Sequence, residues 1–209
     1  MKRITLIALL LLTGTVFTYA QKFHFGLKAA PGVAWMKPDT KGVSNGGAKL
    51  GFSYGIVTEF AFNKAENYAF ATGLDVSYRG GKLDFDSSGS SIKTKLNLQY
   101  LEVPITLKMK TNQIGAIKYF GQVGIVPAFN LKAKSKTTIG NITTEDDFKD
   151  ETKSFDSSFL IALGLEYNLV GTTSGFVSAE FNNGLMDVLD NKNLKSISNL
   201  LSLNVGILF

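Results

Sequence analysis

Large apolar residues alternate with small or charged ones along most of this chain. Between Leu50 and Phe62, Leu50, Phe52, Tyr54, Ile56, Phe60 and Phe62 share one parity, broken only by Thr58. Gly51, Ser53, Gly55, Val57, Glu59 and Ala61 share the other. A period of two predicts β-strand, because successive side chains point to opposite faces. Tyr68, Phe70, Leu74, Val76 and Tyr78 oppose Ala69, Ala71, Gly73, Asp75, Ser77 and Arg79 in the same way. Similar alternation begins at Phe23, Leu101, Ile117, Phe159, Val177 and Ile197. That makes about eight strands, most near the ~9–11 residues of a tilted membrane strand rather than the ~5–6 of a soluble one. Helical periodicity is weak, with a single turn expected at most in Leu185–Leu189 or Asn193–Ser198. Two irregularities fall in the fourth strand. Leu96, Leu98 and Tyr100 are in one phase and Leu101 onward in the other, which predicts a bulge near Tyr100. Pro104 lies inside the strand and cannot donate to the ladder.

Connections alternate in length. Asn63–Asn67, Thr111–Gly115 and Asn168–Ser174 are short. Gly32–Lys49, Gly80–Thr94, Lys132–Ser154 and Asn183–Lys195 are long and polar. The pattern predicts an eight-stranded antiparallel up-and-down transmembrane β-barrel with short periplasmic turns and long external loops. Charges mark the inner face. Glu59, Asp75, Arg79, Glu102, Lys108, Glu166 and Glu180 share the small-residue parity, and placing them against lipid would cost up to a few kcal/mol each. The same parity fits a soluble periplasmic lipocalin-like barrel with apolar residues inside and an apolar ligand. The uneven loops and the chain end weigh against that alternative.

Residues 1–20 resemble a secretory signal peptide. Lys2 and Arg3 precede the apolar run Ile4–Leu12, and Thr18-Tyr19-Ala20 puts small residues at the −3 and −1 positions. An N-terminal membrane anchor is the alternative, but the run is short of the roughly 20 residues a spanning helix needs. The expected mature domain is 21–209. Composition agrees with export: there is no cysteine, and 44% of residues are hydrophobic against 19% charged. No thiolate metal site or disulfide is available, and one histidine argues against a multi-histidine metal site. Losing Lys2 and Arg3 lowers the formal charge from +5 to +3, too mild to suggest nucleic acid.

The stretch Tyr100-Leu101-Glu102-Val103-Pro104-Ile105-Thr106-Leu107-Lys108 resembles a signature strand of the PorT-like outer-membrane beta-barrel family. Phe25-Gly26-Leu27-Lys28-Ala29-Ala30 is similar to that family's first strand, and Ala179-Glu180-Phe181-Asn182-Asn183-Gly184-Leu185 to its seventh. The resemblance implies an eight-stranded barrel in the outer membrane of a Gram-negative-type cell. It implies little about activity, since most members have none assigned, and no residue here justifies transferring the namesake's link to type IX secretion; no cofactor is expected. The terminal Val205, Ile207 and Phe209 resemble the C-terminal signal read by the barrel-insertion machinery. Outer-membrane lipid and lipopolysaccharide are the other expected partners; an external binding partner is not identified by the sequence.

Candidate chemistry is sparse. Gly51-Phe52-Ser53-Tyr54-Gly55 matches G-x-S-x-G, but it sits inside a strand, and the lone His24 lies upstream of it. Ser90-Ser91-Ile92-Lys93 matches S-x-x-K without its companion motifs. His24 is expected at the periplasmic rim. The acidic run Thr144–Glu151 lacks calcium-loop spacing and reads as an external loop, with loose cation bridging to lipopolysaccharide as the alternative. Asn141-Ile142-Thr143 is a weak glycosylation match. The inward charges remain, with Lys28 and Lys118 as further cations. They predict an ionic core, or alternatively a narrow ion path. The expected role is a non-enzymatic outer-membrane barrel, structural or binding through its loops. A narrow channel or transport-associated component, and less strongly a lipid hydrolase, are the alternatives.

Overall fold

The computed structural model describes residues 22–63, 65–87, 90–139, 142–191 and 194–209. The predicted signal segment and Asn141 lie outside these. Strand pairing closes into a ring. In chain order the segments are β1 (Phe23–Pro38), β2 (Val43–Gly47), β3 (Lys49–Ala61), β4 (Tyr68–Ser87), β5 (Ser90–Glu102) and β6 (Ile105–Lys110). They continue with β7 (Ile117–Ile139), β8 (Ile142–Asp147), β9 (Phe155–Val170), β10 (Thr173–Gly184) and β11 (Ser196–Leu208). All pairings are antiparallel. β1 pairs with β3, β3 with β4, β4 with β5 and β6, and these two with β7. β7 pairs with β9, β9 with β10, β10 with β11, and β11 with β1. β5 and β6 are one stave interrupted at Pro104, so the barrel has eight staves. No edge remains open in the ring, as a membrane sheet requires.

The outside of the barrel carries a band of large apolar side chains. Phe25, Leu27, Phe52, Ile56, Leu74, Leu107, Ile161, Leu203 and Val205 are all exposed. In water this would be an apolar patch far larger than a soluble monomer shows, so the band faces lipid. Tyr68, Tyr119 and Tyr167 mark its periplasmic edge. Near the outer edge Trp35 stacks on Phe181, with ring centroids 6.0 Å apart.

The long external connections are largely strand. β4 and β5 form one hairpin that continues through Leu83↔Thr94 to Ser87↔Ser90. β7 runs on to Ile139, and β8 folds back along it. β2 adds to the upper part of β4, where β4 has separated from β3. Gly80 and Gly81 permit that change of partner. Gly80 has φ +147°, and a Cβ on Gly81 would sit 2.6 Å from the Met36 backbone nitrogen.

The phase change at Tyr100 is not a bulge in its own strand. Leu96, Leu98, Tyr100, Glu102, Thr106, Lys108 and Lys110 are all buried, so even positions point inward throughout β5 and β6. The register shift lies across the ladder, where Gln99 faces Lys132 and Tyr100 faces Asn130, leaving Leu131 as the extra residue in β7. What changes at Tyr100 is the surroundings. Below this level the outside is lipid and apolar residues point out. Above it the outside is water and apolar residues point in. Met36, Leu83, Leu96, Leu98, Tyr100, Ala128, Ala133, Val188 and Leu189 form a buried apolar cluster there. Val188 and Leu189 come from the last external connection, which folds into the mouth and is held by Lys153 N–H donating to Val188 O at 2.9 Å. No helix occurs among the described residues, Leu185–Leu189 included; Asn193, the start of the other expected turn, lies outside them.

Candidate functional site

The interior charges are placed by the small-residue parity of the staves, and they pair in tiers. In the periplasmic third, Lys108 on β6 points from its stave toward β3 and β9. Its Nζ lies 2.6 Å from Glu59 Oε1 and 2.5 Å from Glu166 Oε1. Lys110 Nζ lies 2.6 Å from Glu59 Oε2 and 2.9 Å from Glu166 Oε1. Two lysines and two glutamates therefore share one neutral cluster. Lys108 also sits 3.9 Å from the centre of the Phe120 ring, a cation–π contact. The sequence pointed to Glu59, Lys108 and Glu166. Lys110, two positions from Lys108 and hence on the same face, escapes the pattern because the apolar alternation ends at Met109.

In the middle tier Lys28 Nζ meets Asp75 Oδ2 at 2.8 Å. Glu180 accepts from Asn182 Nδ2 at 2.7 Å and from Asn204 Nδ2 at 3.0 Å. Above it, Arg79 is 1% exposed. Its Nη2 donates to Asp156 Oδ2 at 2.8 Å, its Nε is 3.5 Å from Glu102 Oε1, and its guanidinium lies 4.4 Å from the centre of the Tyr100 ring. Asp156 is fully buried yet is not among the expected residues, because it lies between the expected loop, which ends at Ser154, and the apolar alternation, which begins at Phe159; β9 begins at Phe155. Asp75 Oδ1 and Glu102 Oε1 receive no hydrogen bond.

The remaining candidates separate from this network. Ser53 Oγ donates to Ser77 Oγ at 3.0 Å, both buried in the wall. His24 stands at the periplasmic rim, its Nε2 3.4 Å from Glu66 Oε2. Glu66 also meets Lys22 at 2.5 Å and Lys118 at 3.7 Å. Partial burial raises its carboxyl, but the hydrogen bond from Lys22 and the charges of Lys118, Lys22 and His24 outweigh this and hold it below the usual range. Lys93 stands outward on β5, and the side chains of Ser90 and Ser91 lie outside the described set. The acidic segment is not a free loop. Glu145, on β8, meets Lys134 at 2.8 Å.

A cavity of about 190 Å³ opens at the periplasmic end between Lys22, His24, Glu66 and Lys118, and stops at Lys110 and Glu166. A second, smaller cavity of about 20 Å³ lies beside Lys28, Asp75 and Gln122. Among the described residues, no three His, Asp or Glu side chains converge as a metal site.

A sealed eight-stave barrel with a lipid-facing band and both termini on the short-turn side matches the family model described as "Outer membrane protein beta-barrel domain" over residues 19–190. The chain belongs to that family. No curated protein matches it in sequence. Among solved structures, the family barrel is similar to Neisserial surface protein A, at 11% identity and a TM-score of 0.52, covering 90% of this chain and 97% of that one. It is also similar to OprG from Pseudomonas aeruginosa, at 12% identity and a TM-score of 0.49, covering 90% and 97%. A major outer membrane protein from Thermus thermophilus gives 12% identity and a TM-score of 0.47, covering 90% and 99%. At 11% identity the likeness to Neisserial surface protein A is one of fold. Family and fold make this an outer-membrane β-barrel protein.

Proposed function

We propose that this barrel is a non-enzymatic scaffold that displays its external hairpins, rather than a pore. The filled lumen carries this reading. The Glu59–Lys108–Lys110–Glu166 cluster closes the periplasmic third, and the apolar cluster around Tyr100, Val188 and Leu189 closes the outer third. A solute would have to break buried ion pairs or expel a packed apolar plug. Side chains fill barrels of this strand number.

Two observations favour a non-enzymatic role. Ser53 is bonded to another serine, not to a base. His24 pairs with Glu59 across the β1–β3 ladder while Ser53 pairs with Ala30, so the two are about 20 Å apart along the strands. The PorT-like strand, with Pro104 splitting its stave, supports a place in that branch of the family. Phe209 is half-exposed and its backbone pairs with Phe25, which leaves its side chain available to the insertion machinery.

The test is single-channel recording of the folded barrel in a planar bilayer. The scaffold reading expects a silent membrane, and stepwise conductance would overturn it in favour of a narrow ion path. Replacing residues 139–147, the hairpin end beyond the β5 ladder, by a short turn should then spare folding and remove external binding through that hairpin; unchanged binding would argue against loop recognition.

A further inference from the structure

Above the lipid boundary the outward face of β4, β5 and β7 is basic. The ladder sets Lys82 opposite Lys95 and Lys95 opposite Lys136, so three ammonium groups stand in one row across three strands. Lys132 and Lys134 continue the face down β7 toward the membrane. Lys49, at the start of β3, joins Lys132 and Lys134 around a shallow groove. Like charges directly opposite one another destabilise a sheet. Lys134 is relieved by Glu145 at 2.8 Å, and Glu145 also stands opposite Lys136 across the β7–β8 ladder. Asp84 lies beside Lys82, Lys95 and Lys136, so lysines outnumber carboxylates on this face but are not alone on it. Lys49, Lys82, Lys95, Lys132 and Lys136 make no ion pair among the described residues. A sheet that tolerates this repulsion gains from an anion laid across it.

Height identifies the anion. Phe129 is the last large apolar residue facing lipid on β7 before the Leu131 bulge. Against the β5 ladder, which discounts the bulge, Lys132 stands two residues beyond it and Lys136 six, roughly 7 and 20 Å along the strand. A tilt of about 40° makes these roughly 5 and 15 Å above the lipid band. The headgroup layer of one leaflet is only about 5–8 Å thick. A phospholipid therefore reaches the lowest lysines alone. A glycolipid whose saccharide carries phosphates past the headgroup layer reaches the whole face.

We propose that the Lys49, Lys82, Lys95, Lys132 and Lys136 face binds the phosphate groups of a phosphorylated glycolipid standing in the outer leaflet beside the barrel. This rests on the scaffold reading only in taking the β4–β5 and β7–β8 hairpins as external.

The experiment measures binding of the folded barrel in detergent to purified lipopolysaccharide, and to the same material with its phosphates removed. The expected result is binding that weakens by at least about tenfold on phosphate removal, and by a similar factor in Lys82→Gln/Lys95→Gln/Lys136→Gln. Lys37→Gln/Lys41→Gln, which changes exposed lysines elsewhere on the external side, should bind as the parent does. Equal binding by the triple variant, or equal binding to the dephosphorylated material, overturns the proposal. So does binding of inorganic phosphate or a soluble sulfated oligosaccharide as tight as that of the glycolipid. If the triple variant does not fold, salt decides. Affinity of the parent should fall at least about tenfold between about 50 and 300 mM salt, and a flat response overturns the assignment. Bilayer recordings on the same preparation separate the two readings. A silent barrel that ignores lipopolysaccharide refutes this site alone, whereas conductance refutes the scaffold reading whatever is bound.

Discussion

Replacing Lys108 by Met tests whether the periplasmic cluster is a coupled unit. Met keeps the length and apolar character of the lysine stem and removes the charge. Lys108 makes contacts of 2.6 and 2.5 Å to Glu59 and Glu166, and both carboxylates are at most 5% exposed at the side chain. After the change, two buried carboxylates share Lys110 alone. Breaking a buried pair by removing one partner costs about 3–5 kcal/mol, because the orphaned charge has no water to replace its partner. Glu166→Gln alone strands a lysine and should cost a similar amount. The double variant Lys108→Met/Glu166→Gln restores neutrality, since Glu59 and Lys110 still meet at 2.6 Å. Its cost should fall short of the sum of the singles by at least about 2 kcal/mol. Urea unfolding of the barrel in vesicles reads this directly. Trp35, the only tryptophan, reports through fluorescence, and the shift between boiled and unboiled samples on a gel reports the closed barrel. A Lys108→Met cost below about 1 kcal/mol, or additivity within about 0.5 kcal/mol, would refute the coupled cluster.

Leu189→Ala should cost about 2–4 kcal/mol by opening a hole in the outer plug, and should make the connection between β10 and β11 sensitive to protease added to intact cells. Gly164→Ala would set a Cβ 2.5 Å from the Phe120 ring, Ser178 Cβ and Val177 O, so about 1–3 kcal/mol of overpacking should appear as a lower urea midpoint. Glu66 has a depressed folded pKa, so its contribution is present above its unfolded value and lost as pH falls through the folded one. The destabilisation by Glu66→Gln at pH 7 should therefore shrink as urea titrations approach about pH 3; a pH-independent difference would exclude this ion pair as its source.

Barrel closure was legible because each stave must satisfy one rule along its length, with lipid on one face and packed side chains on the other. Strand ends were less legible. Gly80–Thr94 and Lys132–Ser154 read as loops because Ser, Asp, Thr and Lys replace the large apolar residues there. Those residues still pair as strands, since pairing needs only backbone groups and the outside above the bilayer is water. The same cause hid Asp156 and Lys110, which lie beyond the limits drawn from apolar alternation. The tiers of the ionic core were illegible for another reason. Parity assigns a residue to the lumen, but the height at which charges meet depends on the register between staves. Glu59, Lys108 and Glu166 come together only through the ladders Ala69↔Lys108, Ala61↔Ala69 and Lys118↔Glu166.

The phase reversal at Tyr100 is then a measurement of where the bilayer ends. Across the β4–β5–β7 wall the same reversal recurs at matched heights. Tyr78 points out and Leu83 points in on β4, Leu101 out and Leu98 in on β5, Phe129 out and Ala133 in on β7. The register aligns these positions, with Tyr78 opposite Gln99, Leu101 opposite Phe129 and Leu98 opposite Ala133. On β4 and β5 the side chains keep their alternation while the apolar ones exchange faces. On β7 the Leu131 bulge resets the inward parity, so that Ala133 and Ser135 fill the lumen and Lys132, Lys134 and Lys136 turn outward. Such an exchange is what a strand needs when it leaves hydrocarbon for water, because the face that must be dry changes sides. The apolar plug and the lysine face are therefore two consequences of one boundary. Apolar side chains that would be exposed above the membrane seal the mouth instead, and the positions they vacate on the outside carry charged side chains that water can solvate.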